Sequence, residues 1–325
     1  MGLILDQRRN YSTKMPLDVK ILDHWWVTGY TDGEGCFTIN TIKSKSTKLG
    51  YTVKLHYQIS VHHSDEAILH ALKAFFKDAG YIVYSEHYVA YRVEKLSDIL
   101  NYIIPHFTAY PLQSTKFIPF YLFKVVANLI DKKAHLTLQG YREILTYKAA
   151  LKKGLAASVF QASELFSDIE PFNTEGIFIE KESVLEPEYI SGFVAADGTF
   201  FISKPSAGSK WPNYDATFAI AQNQRDEALL HRIIKTLGCG GIKKDSHGMR
   251  NVSVRNKEDL QHKVIPFFSQ YPIRTEKHKY FLYFQSAVSI LHANKGKGLK
   301  SLTEDQRNHL NFYISNMNKN RYAIP

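Results

Sequence analysis

Two stretches decide the fold: WVTGYTDGEGCF at residues 26–37 and YISGFVAADGTF at residues 189–200. Each has small residues four positions apart, Gly29 with Gly33 and Gly192 with Ala196. Residues at this spacing share one face of a helix, so two such helices can pack with their backbones close together. A single copy of the pattern is common in ordinary helix packing. Two copies with an acid at the same offset are strong evidence for a specific pair of packed helices.

An acidic residue follows the small residues in each stretch. Glu34 precedes Gly35 and Asp197 precedes Gly198, and a glycine at this place ends a helix. An acid in the last turn is disfavoured by the negative end of the helix dipole, so its presence twice indicates a nearby cation. Packing along the shared seam would bring the two carboxylates to one site.

The rest of the chain repeats with these stretches. Matched segments include Asp65-Glu66-Ala67 with Asp226-Glu227-Ala228, Tyr110-Pro111 with Tyr271-Pro272, and Leu136-Thr137 with Leu302-Thr303. Aromatic-rich runs of alternating polarity follow both acids and predict strands. The sequence therefore predicts an α+β fold of two pseudo-symmetric αββαββα repeats, each with an antiparallel four-stranded sheet. The expected units are a flexible N-terminal tail, a first repeat, a linker and a second repeat, at 1–20, 21–152, 153–186 and 187–325.

At the two stretches the chain resembles the LAGLIDADG homing endonucleases, in the single-chain form that carries two motifs. The resemblance extends over nearly all of residues 21–322. One departure is Ala195, which stands where the first motif has Asp32. That position is the earlier acid of the family name, so we expect the metal site to survive the change.

Composition limits the classes of function. The chain has 325 residues, 44% of them hydrophobic, which is enough for two domains with substantial cores. Two cysteines are too few for a disulfide framework or a cysteine-based zinc site. His62-His63 with Asp65 lacks the context of a zinc or ββα-metal nuclease. No apolar run reaches the roughly 18 residues that span a membrane, so we expect a soluble protein with no membrane partner.

The charge is unevenly distributed along the chain. The net charge is +10, yet residues 155–190 hold eight acids and one base. The remainder is therefore more basic than the total indicates. A basic body with an acidic connector suits a polyanion such as nucleic acid, although a generally solvated basic surface remains an alternative on charge alone.

The sheets provide the expected nucleic-acid surface. Two four-stranded sheets related by a pseudo-twofold axis would form a long saddle whose free face presents alternating residues to base edges. The residues predicted to contact DNA in the first half are Cys36, Thr38, Asn40, Ile42, Ser44, His56, Gln58, Ser60 and Arg92. Those in the second half are Thr199, Phe201, Ser203, Thr217, Lys243, Arg250, Asn251 and Ser253.

The acids and their neighbouring carbonyl groups suit a hard cation. Glu34 and Asp197, with the backbone oxygens of Gly33 and Ala196, form the oxygen environment that Mg²⁺ prefers. Beside a scissile phosphate such an ion supports phosphodiester hydrolysis. The resemblance implies that these acids are the metal-binding catalytic residues, and that Ca²⁺ supports binding without cleavage.

Three further catalytic residues follow from the resemblance. Lys116 and Lys277 occupy matched places after Tyr-Pro-Leu and Tyr-Pro-Ile, and a cation there could polarise the attacking water. Gln222 resembles the water-ordering glutamine of the family, whereas the first half has Val61 at the aligned position, with Gln58 nearby.

The resemblance implies a monomeric, site-specific endonuclease that cuts both strands of a long asymmetric DNA duplex with Mg²⁺ and leaves short 3′ overhangs. The alternative is a maturase that binds intron RNA on the same saddle. A DNA-binding regulator without catalysis is a third hypothesis. Both copies keep their acid and lysine, which favours cleavage. The family commonly lies in organellar introns, so we expect a mitochondrial protein.

Overall fold

The computed structural model describes residues 21–151, 166, 168–177, 184–205, 213–245 and 247–318. The predicted tail at 1–20 lies outside the described residues, as do residue 152 at the end of the first repeat, 153–165, 167 and 178–183 of the predicted linker, and 206–212, 246 and 319–325 of the second repeat. Over the described residues, no helix combines the length and hydropathy needed to cross a membrane.

The first half begins where Asp23 accepts hydrogen bonds from the Trp25 and Trp26 amides, which fixes the start of its first helix. Its elements are α1 His24–Glu34, β1 Gly35–Lys43, β2 Tyr51–Val61, α2 Glu66–Phe75, β3 Tyr81–Tyr84, β4 Val89–Val93, α3 at 96–109, α4 Phe117–Asp131 and α5 Leu138–Ala149. The second helix ends at Phe75, ahead of Lys77 and Asp78, which adopt positive φ angles.

The second half repeats this order. Its elements are α6 Pro187–Asp197, β5 Gly198–Ser203, β6 Asp215–Asn223, α7 Glu227–Leu237, β7 Gly241–Lys244, β8 Met249–Val254, α8 at 257–270, α9 Lys277–Ala293 and α10 Glu304–Asn318. Short 3₁₀ turns at His63–Asp65 and Gln224–Asp226 occupy matching places ahead of α2 and α7. The duplication seen in the sequence is therefore a duplication of structure.

Each half contains one antiparallel sheet of four strands, in the orders β1-β2-β4-β3 and β5-β6-β8-β7. Helices cover one face, where Phe37 packs against Tyr57 and Phe200 packs against Phe218 with the same ring separation of 5.2 Å. The opposite face of each sheet carries the alternate residues, most of them polar. This arrangement confirms the predicted α+β class.

Pro105 and Pro266 do not interrupt their helices. In α3 the segments Leu96–Asp98, Ile99–Ile103 and Ile104–Ala109 run on without a break, and the middle one is π-helical. The α8 helix has the same construction. The wider π turn accommodates a proline that lacks the amide hydrogen an α-helix would use. From the sequence, Pro105 and Pro111 together predict a break in the chain before α4, and for Pro105 that prediction is wrong.

Phe166 and Phe172 of the predicted linker pack on the first half. Phe166 is buried between Tyr51 and Tyr141, at ring separations of 5.4 and 5.5 Å. The Phe172 amide donates to the Thr146 carbonyl oxygen at 3.0 Å. Apolar residues of the connector therefore lie against the body of the first half.

Helices α1 and α6 cross with their backbones in direct contact. A Cβ atom at Gly29 would overlap the carbonyl oxygen of Tyr189, and one at Gly192 would overlap that of Trp26. The two glycines thus play the same role from opposite sides of the crossing. Any larger side chain at either position would push the halves apart.

We expect Gly192→Ala to lower the free energy of unfolding by about 3 kcal/mol. The added Cβ would overlap the backbone carbonyl oxygen of Trp26, which cannot move aside as a flexible side chain could. The matched control is Gly241→Ala, where an added Cβ meets no atom within 4 Å. Urea unfolding of both variants measures the difference. Equal stability of the two would contradict the close crossing.

Candidate active site and nucleic-acid interface

Glu34 and Asp197 are the last residues of α1 and α6, at one end of the helix crossing. A Cβ atom on Gly33, next to Glu34, would lie 3.4 Å from Asp197 Oδ2. Glu34 is exposed and Asp197 is half-buried. The crossing therefore brings acids from opposite halves to one site, as the spacing of small residues indicates.

The electrostatics of this site favour a bound cation. The pKa of Glu34 lies above its ordinary value of 4.5, first because the surrounding protein desolvates the carboxyl and then because Asp197 is charged nearby. Lys277 and Lys116 oppose this rise. Part of Glu34 is in contact with solvent, which screens the charges. Carboxylates that repel each other bind a proton more readily, and a divalent ion relieves the same repulsion.

Lys116 and Lys277 lie against the ends of the two crossing helices. Lys116 Nζ donates to the carbonyl oxygens of Thr31 at 3.1 Å and Gly33 at 2.9 Å. Lys277 Nζ donates to the carbonyl oxygens of Val194, Ala196 and Gly198 at 3.0, 2.8 and 2.7 Å. Burial lowers the pKa of Lys116, and the charge of Asp32 is the largest opposing effect.

The carbonyl groups predicted to bind the metal therefore already accept hydrogen bonds from lysine. Gly33 O receives Lys116 Nζ and Ala196 O receives Lys277 Nζ. A carbonyl oxygen has two lone pairs, so one remains for an ion. Two carboxylates and two such oxygens form a donor set of hard oxygens, which fits Mg²⁺ or Ca²⁺.

Gln222 extends from β6 toward the acids. Its Nε2 donates to Asp197 Oδ2 at 2.6 Å, so the side chain reaches the site that the sequence predicts for it. The first half has the buried Val61 at the aligned place. Gln58 does not substitute for it, because its side chain bonds Arg92 and Ser60 on the open sheet face. The two halves thus differ at this position.

Asp32 has a structural role that sequence reasoning did not assign. It is buried, and its carboxylate accepts from the Gln113 and Ser114 amides, from Ser114 Oγ and from Tyr189 Oη. These bonds hold the loop ahead of Lys116 to the helix crossing. Ala195 cannot accept side-chain hydrogen bonds, so the second half lacks this anchor.

The open face of the first sheet carries most of the residues predicted there. Strand pairing places Cys36 opposite Gln58, Thr38 opposite His56, and Gln58 opposite Arg92. Asn40, Ile42 and Ser60 share this face by alternation. Ser44 lies beyond the strand, in a turn where its amide donates to Gly50 O at 2.8 Å. The same alternation adds Thr52 and Lys54, which sequence reasoning missed although strand parity would have found them.

The open face of the second sheet carries Thr199, Phe201, Ser203, Lys243, Asn251 and Ser253. Thr217 pairs with Phe201 on this face but is 2% exposed, which contradicts its expected accessibility. Asn223 also belongs to the face and was missed.

The placement of Arg250 on the open face is wrong. Adjacent strand residues point to opposite faces, so Arg250 and Asn251 cannot both lie there. Arg250 pairs with Gln222 and Lys244, and its Nε donates to Glu227 Oε2 at 2.7 Å. Its guanidinium is therefore directed toward α7 and engaged in an ion pair.

A histidine cluster that the sequence did not indicate lies on the second half. Three possible metal-ligand atoms lie within 4.8 Å of one another there: a carboxylate oxygen of Glu258 and a ring nitrogen of each of His262 and His292. Lys295 Nζ already bonds the Glu258 carboxylate at 2.8 Å, and together with His292 it lowers the pKa of Glu258 to about 2. The cluster thus has its own cation.

Comparison with known proteins identifies the family. The model of the LAGLIDADG endonuclease family matches residues 27–127 and 190–288. A curated relative, "Probable intron-encoded endonuclease 2" of Neurospora crassa, is 30% identical over 321 residues, covering 92% of this chain and 70% of its own length.

Solved structures agree with this match. "I-SmaMI bound to uncleaved DNA target in the presence of Calcium ions" is 32% identical with a TM-score of 0.85, over 92% of this chain and 100% of that one. The complex of the homing endonuclease I-GzeII with its DNA target is 29% identical with a TM-score of 0.83, over 93% and 100%. This chain belongs to the LAGLIDADG endonuclease family, as the form with two motifs in one chain.

Proposed function

We propose that the protein is a homing endonuclease that cuts both strands of a long asymmetric DNA target with Mg²⁺ and leaves short 3′ overhangs. The single observation that carries the proposal is the meeting of Glu34 and Asp197 at the helix crossing, with a lysine against each helix end. Two carboxylates at one place can hold a divalent ion beside a phosphodiester bond.

Each side chain of the site has a distinct role in the proposal. Glu34 and Asp197, with the free lone pairs of Gly33 O and Ala196 O, hold the divalent ion. An ion held there would supply positive charge to the scissile phosphate and the leaving 3′ oxygen.

Lys116 and Lys277 stabilise developing negative charge, and the lowered pKa of Lys116 makes its ammonium a readier proton donor. Gln222 orients Asp197 through its amide, and the family resemblance implies that it also orders the attacking water.

The open faces of the two sheets are the proposed DNA surface. Their residues differ between the halves: the first presents Asn40, His56 and Arg92, whereas the second presents Phe201, Lys243 and Asn251. Different donors and acceptors recognise different base edges, so the two half-sites should differ in sequence. Arg250 is excluded from this surface by its ion pair with Glu227. We place the protein in mitochondria, as an intron product, on the family resemblance.

The direct test selects cleavable duplexes from a random pool in Mg²⁺, with a parallel incubation in Ca²⁺. We expect a single family of long asymmetric sites, double-strand products in Mg²⁺, and binding without products in Ca²⁺. Tight binding of intron RNA with no nicked DNA would instead support the maturase hypothesis. DNA binding without products under any divalent ion would support a regulator.

We expect Glu34→Gln and Asp197→Asn each to slow cleavage by at least about a hundredfold while DNA binding persists, because each removes one charged metal ligand. Single-turnover cleavage of the selected duplex measures the rates. Glu143→Gln, at an exposed position of α5, is the matched control and should cleave normally. Normal cleavage by Glu34→Gln would exclude the proposed site.

The raised pKa of Glu34 also predicts a pH-dependent effect on stability. The ionised form of Glu34 is disfavoured in the folded state. The carboxyl therefore destabilises the fold by its full amount at pH values above the raised pKa, and has no such effect below the ordinary value of 4.5. Glu34→Gln should therefore raise the free energy of unfolding of metal-free protein at pH 8 and leave it unchanged at pH 4. Urea unfolding at both pH values measures this. A destabilised variant at pH 8 would show that Asp197 and burial do not strain Glu34.

A further inference from the structure

Two aspartates outside the active site each reach across to the opposite half of the molecule. Asp226 Oδ1 accepts the Thr115 amide at 2.6 Å, and its Oδ2 accepts Thr115 Oγ1 at 3.1 Å. Asp65 Oδ1 accepts the Glu276 amide at 2.8 Å. Asp226 is buried and Asp65 is half-buried. These bonds connect residues that are remote in sequence and belong to different repeats.

The two contacts are equivalent under the pseudo-twofold symmetry. Asp65 and Asp226 both end the 3₁₀ turn that follows the second strand of their half. The amides that they accept belong to the residues directly ahead of Lys277 and Lys116. A chance contact would not recur at both matched places. The repetition indicates a requirement common to the two lysines.

We propose that Asp65 and Asp226 are positioning residues that fix the opposite half's lysine in the active site: Asp65 sets Lys277, and Asp226 sets Lys116. A carboxylate bonded to an amide at the start of a helix is a charge-assisted contact that also complements the helix dipole. Lys116 and Lys277 lie at the first turns of α4 and α9. Holding the backbone there fixes where the long lysine side chain starts, so Nζ reaches the carbonyl oxygens at the helix crossing.

The arrangement makes each lysine depend on assembly of both halves. Lys116 and its loop belong to the first half, but Asp226 belongs to the second. The catalytic role of the lysines comes from the proposed function, whereas their placement by the aspartates is a separate structural claim.

The loops ahead of the two lysines are held by different residues. Asp32 bonds the Gln113 and Ser114 amides, and Ser114 Oγ in turn accepts the Lys116 amide at 3.0 Å. The second half has Ala195 in place of Asp32. The loop ahead of Lys116 is therefore held by Asp32 as well as by Asp226, whereas the loop ahead of Lys277 is held to α6 by Ser191 Oγ, which donates to the Pro272 carbonyl oxygen at 2.9 Å.

Amine labelling of the full chain, followed by mass spectrometry, tests the placement without DNA. In Asp226→Ala the labelling rate of Lys116 should rise and that of Lys277 should not, whereas Asp65→Ala should show the reverse. We expect roughly a fivefold rise for the affected lysine in each variant, the scale of one lost helix cap. The exposed Lys132 serves as the internal reference.

Two kinds of control separate placement from general loosening. Asp65→Asn and Asp226→Asn keep an oxygen that accepts the amide, so labelling should return most of the way to the wild-type rate. Thr137→Ala removes a comparable cap, which accepts the Gly140 amide at 3.1 Å at the start of α5, and should leave both lysines unchanged. If either aspartate variant exposes both lysines equally, or neither, the proposal is overturned.

Strand-specific cleavage gives the functional test. With the selected duplex labelled on each strand in turn, Asp65→Ala and Asp226→Ala should slow different strands, so that nicked intermediates accumulate. Equal slowing of both strands would overturn the proposal. A wild-type protein that cuts no duplex would refute the proposed function, while the crossed labelling pattern would still decide the placement.

Discussion

The structure depends on the direct contact between the backbones of α1 and α6. Gly29 and Gly192 each face a carbonyl oxygen of the opposite helix, and even a Cβ atom at either position would overlap that oxygen. Only this approach brings the last residues of the two helices together. The acid pair, the lysines on the helix ends and the alignment of the two sheets all follow from one packing constraint. A fold that separated the helices by one more side chain would keep both cores and lose the site.

The halves share an architecture but differ at the positions nearest the chemistry. Asp32 anchors the first lysine loop, while Ala195 leaves the second without that support. Gln222 bonds Asp197, whereas the buried Val61 stands at the aligned place in the first half. Duplication in one chain permits such divergence, because each copy can change without altering its partner. The same freedom applies to the open sheet faces and is the physical basis for an asymmetric DNA target.

Sequence patterns predicted the features of the fold and site that depend on local periodicity. The spacing of small residues and acids located the crossing, and strand alternation placed Thr38, His56 and Asn251 on the open faces. Misplacing Arg250 broke that same alternation, since its neighbour Asn251 already occupied the face. Pro105 was misjudged because a π turn is not visible in residue pattern. The hydrogen bonds that Asp65 and Asp226 accept could not be predicted from the sequence. The repeat aligns the two aspartates with each other and not with their partners in the opposite half.

The central claim is that Glu34 and Asp197 share one divalent site across the crossing. It is tested most directly by a double-mutant cycle on Ca²⁺ affinity, measured calorimetrically on the uncleaved DNA complex of wild type, Glu34→Gln, Asp197→Asn and the double variant. A shared site predicts strong coupling, so that the double variant binds scarcely more weakly than the weaker single variant. Losses that simply add would show that the two acids bind metal independently, and would contradict the account.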